Sequence, residues 1–197
     1  MHLNKYNIQY NATLSLIENC AEILKKHPKT LDHVLKVAET GIKLAARFDT
    51  DTEKVSIACL LHDISAVIPR DDYIDLCKAY NFKVLPEEEQ VIMLLHQKIS
   101  AIIAKEVFNI TDAEILSAIA YHTSLKAAPS QTDMIVFIVD KLSWDQSETP
   151  PFFEVVETAL ETSLETACLT YINYTFDNNM ILIPLPDTLA AKKYLEN

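Results

Sequence analysis

VSIACLLHDI, residues Val55–Ile64, is the stretch on which the fold turns. Its leading residues are apolar or small almost all round, so a helix built from them has no wide solvated face and belongs at the centre of the molecule. The run then ends on two polar groups, His62 and Asp63. Adjacent residues on a helix point about 100° apart, so this pair grips one ion only if the backbone turns there. Asp51 or Thr52 is placed to cap this helix, expected over Glu53–Ile64.

Helical spacing continues on both sides. Upstream, one helix is expected over Asn11–Lys26, stopping before His27-Pro28. A second is expected over Thr30–Phe48, with Val34, Val37, Ala38, Ile42 and Ala45 on its inner side. Downstream, a polar helix follows over Arg70–Tyr80. Pro86-Glu87-Glu88-Glu89 starts another, with acidic charge at the positive end of its dipole; it runs through Val107, with a break allowed. Asp112 opens Ala113–Tyr121, and Ser130 precedes Gln131–Leu142. The MIVFIVD run of that last segment has strand composition, but its neighbours are helical and no partner strand is evident. Pro150-Pro151 makes one clear break. Beyond it come a long amphipathic stretch, Phe152–Tyr174, and a closing helix, Thr188–Leu195, capped by Asp187. The reading is a single all-α domain, with a core about 28–146 and a C-terminal helical extension about 151–197.

Composition agrees. The 197 residues are 49% hydrophobic and 23% charged, which excludes disorder over most of the chain. Only one glycine, Gly41, occurs, so glycine-rich phosphate loops cannot be built. Joints rich in Pro, Asp and Asn are expected instead. Four dispersed cysteines, Cys20, Cys59, Cys77 and Cys168, form no CxxC pair and read as reduced core thiols. The densest apolar run, Met134–Val139, is far short of the ~18 residues of a membrane span, and the polar N-terminus lacks a signal-peptide core. The expected compartment is the cytoplasm. A net charge of -11 disfavours duplex nucleic acid and anionic membranes. A phosphate substrate then requires a local positive charge, which a bound metal supplies.

Six histidines occur. His2 and His27 lie in polar or terminal surroundings and read as surface residues. His33, His62, His96 and His122 sit at helical spacing from apolar neighbours, as do Asp63 and Asp140. Buried carboxylates are costly unless paired. A divalent cation shared by these groups meets that cost, and the donors suit zinc, iron, manganese or nickel. No cysteine belongs to the set, which argues against a purely structural zinc site. Six ligands exceed the needs of one four-coordinate ion and suffice for two with positions open to water and substrate. The bland alternative is a group of hydrogen-bonded core histidines, and the ordered recurrence on successive helices weighs against it.

The order His33, Leu61-His62-Asp63, His96, His122, Asp140 resembles the HD-domain superfamily of metal-dependent phosphohydrolases, and within it the YqeK branch. The matching phrases are LDHVLKVA, ACLLHDI, LLHQKISAIIA, ILSAIAYHTSL and MIVFIVDKLS, spanning about Leu31 to Ser143. The resemblance implies an all-α HD bundle that hydrolyses nucleotides, in particular by symmetrical cleavage of diadenosine tetraphosphate into two ADP molecules. It implies His33, His62, Asp63 and Asp140 on one metal, His96 and His122 completing a second, and Asp63 bridging the two. Asp63 and His62 are expected to carry the catalytic role. Iron is the metal implied first, with manganese, nickel, zinc and magnesium as alternatives. Several positions depart from the branch: Thr30 stands for its arginine and Ala66 for its lysine. Tyr121-His122-Thr123-Ser124-Leu125 lacks its glycine, and Trp144 and Gln146 replace its proline and arginine.

Arg70, Lys126 and Lys141 are the candidate phosphate-binding cations; the plain alternative is solvated surface charge. Trp144 or Tyr121 has the surface to stack on a base or to pack the core. A homodimer is compatible with all of this. Two rival readings are a non-catalytic nucleotide sensor that keeps the metal site, and a helical interaction protein whose His/Asp set is structural.

Overall fold

The computed structural model describes residues 2–143 and 149–197; Trp144 and Gln146 lie outside the described residues. Eleven α-helices and four 3-10 helices make up the regular structure there, with no strand among the described residues. The α-helices are α1 (Leu16–Leu24), α2 (Pro28–Arg47), α3 (Thr52–Leu61), α4 (Tyr73–Ala79), α5 (Pro86–Gln90), α6 (His96–Glu106), α7 (Ala113–Ala120), α8 (Gln131–Leu142), α9 (Phe153–Leu160), α10 (Leu164–Asp177) and α11 (Pro186–Leu195).

As its composition demands, α3 is central: it packs against α1, α2, α6, α7 and α8. Asp51 caps it, accepting from the Glu53 and Lys54 amides. Its expected end at Ile64 is corrected to Leu61, after which a 3-10 turn, Ile64–Val67, begins. Helix α8 lies across α2, α3 and α7, so MIVFIVD is helix, opened by a Ser130–Asp133 capping box. The C-terminal helices cover it through α10, which packs on α8, α9 and α11.

Local chemistry explains where expectation and structure part. The first helix starts at Leu16, not Asn11, because Ser15 and Glu18 form a capping box. Pro28 occupies the first turn of α2. Along α2, Gly41 and Leu44 face the core, whereas Ile42 is 41% exposed. Arg70–Asp72 is a 3-10 turn ahead of α4. The acidic Pro86 segment stops at Gln90, where Val91 leaves helical geometry at φ -127°, ψ 78°; Glu88 accepts from the Leu85 amide at its start and pairs with Lys98 of α6. The stretch Phe152–Tyr174 is two helices, since the Ser163 hydroxyl caps α10 at the Thr166 amide. Pro186 opens the last helix two residues before the expected start, so Leu185 rather than Asp187 is its cap.

With one glycine available, the chain reverses direction on other residues. Asp49, Asn81 and Asn179 each adopt positive φ one residue beyond a helix cap. The amides of Thr50, Phe82 and Met180 then bond back to the Ala45, Cys77 and Thr175 carbonyls, closing three Schellman motifs. Leu125, fully buried, holds φ 57°, and exposed Ala128 holds φ 48°. Gly41 itself serves close approach. A Cβ there would lie 2.8 Å from Cys59 Sγ and 3.1 Å from a Val55 methyl, so α2 settles onto α3 only with hydrogen at this point.

All four cysteines are buried and unpaired by disulfides. Burial pushes the Cys20 and Cys77 thiols up to about 12 and raises Cys59 and Cys168 as well.

Three substitutions test this account by denaturant unfolding. Gly41→Ala is expected to destabilise by about 1–3 kcal/mol through overpacking, despite better helix propensity. Ala128→Gly is expected to stabilise by roughly 1 kcal/mol by relieving left-handed strain. Leu125→Gly relieves the same strain but removes a buried side chain, and a net loss of about 2 kcal/mol or more is expected.

Candidate metal centre

Three of the four apolar-context histidines are set by one local device. Helix ends leave carbonyls unpaired. His62, at the cap of α3, directs Nδ1 to the Cys59 carbonyl at 2.7 Å. His122, just beyond α7, directs Nδ1 to the Ile119 carbonyl at 2.8 Å. His96, following the 3-10 turn Ile92–Leu95, does the same to the Met93 carbonyl at 2.6 Å. In each case the Nδ1–H donates, which leaves a lone pair on Nε2. The sequence reading placed these residues at helical spacing from apolar neighbours; the structure adds that each sits where a helical turn ends and that a main-chain carbonyl three residues back orients the ring, the Met93 carbonyl also accepting the His96 amide.

The free Nε2 atoms converge. His96 and His122 bring theirs within 2.9 Å, and those of His33 and His62 are 3.3 Å apart. His33 Nε2 also lies 3.0 Å from Asp140 Oδ1, which is 3.5 Å from His62 Nε2. Asp63 stands between the two histidine pairs. Its Oδ2 is 3.8 Å from His62 Nε2, and its Oδ1 is 3.6 and 3.7 Å from those of His96 and His122. The turn that this requires is real: Asp63 leaves helical geometry at φ -114°, ψ 17°. All six predicted ligand positions therefore meet in one corner built from α2, the α3 end, the α6 start, the α7 end and α8. Three overlapping groups have donor atoms within 4.8 Å of one another: His33, His62 and Asp63; His62, His122 and Asp140; and Asp63, His96 and His122.

The three candidate cations part company. Lys141 joins the cluster: its ammonium lies 2.5 Å from Asp140 Oδ2 and 3.0 Å from the His122 carbonyl. Lys126 is engaged elsewhere, with Ser117 and buried Asp133, over the Tyr121 ring. Arg70 is exposed and ion-paired to none of the described residues. Two neighbours escaped the sequence reading. Thr123 Oγ1 lies 3.1 Å from His96 Nε2. Gln97, buried beside His96, accepts from the Thr123 and Ser124 amides and so pins the segment after His122. Their only sequence signal is adjacency to a ligand candidate.

Two carboxylates, Asp63 and Asp140, face a single ammonium, Lys141, so the fixed charges of the corner sum to a negative value. Burial opposes charge on His62, but Asp63 and Asp140 outweigh it and lift this imidazole to about 9. His122, equally buried and beside His96 and His62, is pushed well down and stays neutral. Burial likewise works against ionised Asp140, yet Lys141, His33 and His62 hold its carboxyl well below the usual range. Opposed lone pairs and paired carboxylates ask for positive charge, and the cluster is able to bind a divalent metal. A proton on His62 competes for that place, so metal affinity is expected to rise with pH and level off above about 9, with protons released on binding near neutrality. Calorimetric titration of manganese in buffers of different ionisation enthalpy checks this; affinity flat across that range would contradict it.

Comparison with known proteins agrees with this geometry. Residues 30–145 match the family model described as HD domain. A protein of Lactococcus lactis subsp. cremoris, named for the pepC 5′ region and uncharacterised, is 41% identical over 141 residues, 72% of each chain. A symmetrical bis(5′-nucleosyl)-tetraphosphatase of Staphylococcus aureus is 37% identical over 117 residues, 57% of each chain. A crystal structure from Clostridium acetobutylicum, described as a predicted HD superfamily hydrolase involved in NAD metabolism, aligns with TM-score 0.82 at 25% identity, over 95% of this chain and 98% of that one. The family match covers more than half of the chain and contains all six clustered residues, and the chain belongs to the HD-domain family as one of its phosphohydrolases.

Proposed function

We propose that this phosphohydrolase cleaves a nucleotide phosphoanhydride, with symmetrical hydrolysis of a dinucleoside tetraphosphate to two nucleoside diphosphates as the activity. The observation that carries the chemistry is the opposition of Nε2 lone pairs, 2.9 Å apart in His96–His122, beside two carboxylates. The relatives named symmetrical bis(5′-nucleosyl)-tetraphosphatases support the substrate.

In this reading His33, His62, Asp63 and Asp140 would hold one divalent cation, and Asp63, His96 and His122 a second. Asp63 is suited to both because its two oxygens face different histidine pairs. Such cations supply Lewis-acid activation of water and neutralise phosphate charge. The carbonyls of Cys59, Met93 and Ile119 hold the rings in the tautomer this requires. Lys141 steadies Asp140 and offers positive charge towards a phosphate. Iron is the metal inferred, ahead of manganese, nickel, zinc and magnesium, and a cytoplasmic setting fits four reduced thiols. No helix among the described residues is long and apolar enough to cross a membrane.

His62→Ala and Asp63→Ala are each expected to abolish both bound metal and turnover of diadenosine tetraphosphate. Elemental analysis and product chromatography measure the two. Full turnover by either variant would refute the assigned roles. Metal retained by the wild type, with no turnover of any phosphate ester or anhydride offered, would favour the sensor reading instead.

A further inference from the structure

Beside the His/Asp cluster lies a cavity of about 380 Å³. Lys141 and Thr123 belong to both: each touches the cluster, and each lines the cavity. Past them the walls turn apolar, with Phe137 and Tyr171 meeting edge to face at 5.4 Å. The Ser124, Thr175 and Thr188 hydroxyls interrupt this lining, and no carboxylate joins it among the described residues. The far wall is a strap, residues 179–185, between α10 and α11. It begins at left-handed Asn179 and ends in Ile183-Pro184-Leu185-Pro186, where proline restricts the backbone. Ile183 and Leu185 reach the cavity from it. A larger cleft of about 600 Å³ runs along the N-terminal segment and α1, and neither Lys141 nor Thr123 nor any of the six clustered residues lines it.

Charge and shape select an occupant. An ammonium has three donors, and two of Lys141's are engaged, leaving one for an anion at the cluster end. The rest of the lining carries no charge and is partly aromatic and partly hydroxyl, with the Phe137 ring 5.2 Å from the Lys141 ammonium. One cation on an otherwise uncharged, partly aromatic lining fits a molecule with an anionic head and a flat uncharged body. The volume is near the small end of the roughly 300–1,000 Å³ typical of ligand sites, so it encloses one nucleoside and leaves the rest of a dinucleotide outside. Resting on the phosphohydrolase reading above, we propose that this cavity holds one nucleoside of the substrate, with its phosphates directed past Lys141 to the cluster. The strap then determines which bases enter. Recognition is one-ended, so a single nucleoside diphosphate satisfies the cavity alone.

Calorimetric titration of ADP and of inorganic pyrophosphate, both with manganese present, tests this on the full chain. Wild type is expected to bind ADP at least tenfold more tightly than pyrophosphate. Ile183→Trp, which fills the cavity, and the milder Ile183→Phe are expected to erase most of that margin while pyrophosphate affinity changes less than twofold; thermal melts establish that each variant is folded. Equal affinities in the wild type overturn the proposal without any variant. So does a folded Ile183→Trp protein that keeps the ADP margin, or an equal weakening of both ligands. Turnover of diadenosine tetraphosphate by the same wild-type sample separates the two readings. Cleavage without an ADP margin sinks the cavity assignment alone, whereas an ADP margin without cleavage supports the cavity and sinks the hydrolase activity.

Discussion

Two imidazole lone pairs held 2.9 Å apart in a part-buried corner repel unless positive charge lies between them, and the helices of this protein are arranged around that constraint. Each ring is aimed by its own backbone. A main-chain carbonyl where a helical turn ends takes the Nδ1–H, and the lone pair is thrown forward into the shared space. Helix termination and ring orientation are thus one event. Lengthening α3 or α7 by a residue would satisfy those carbonyls internally and turn the imidazoles away.

The constraint reaches outward through close packing. His33 rides on α2 and the His62–Asp63 corner ends α3, so their spacing depends on how closely these two helices approach. Gly41 against Cys59 sets that distance with an absent methyl group. A glycine in mid-helix weakens the helix locally, but here it permits a contact that any side chain would prop open.

The six clustered residues were readable from sequence because polar groups ending apolar runs are costly, and their recurrence pointed to one common partner. What stayed hidden was mostly local hydrogen bonding. Nothing in the spacing of Phe152–Tyr174 says that the Ser163 hydroxyl will stop one helix and start another. Ile42 looked like a core residue until Gly41 and Leu44 proved to hold that face. Lys126 and Lys141 look equivalent in the sequence, yet only the second has its charge beside the cluster, because Asp133 takes the first. Thr123 and Gln97 gained importance only through tertiary contact. Within the His122–Leu125 segment, where the branch pattern carries glycine, Leu125 is buried and adopts the left-handed backbone that glycine takes freely.

The buried thiols carry a practical consequence. With all four sulfurs sealed in the core and their ionisation suppressed, maleimide and haloacetamide reagents meet almost no reactive background. A cysteine introduced at Leu182, which is 81% exposed on the strap, becomes the single handle on the folded protein. A fluorophore or spin label attached there would report directly on whether that segment shifts when nucleotide arrives, without stripping any native residue from the interior.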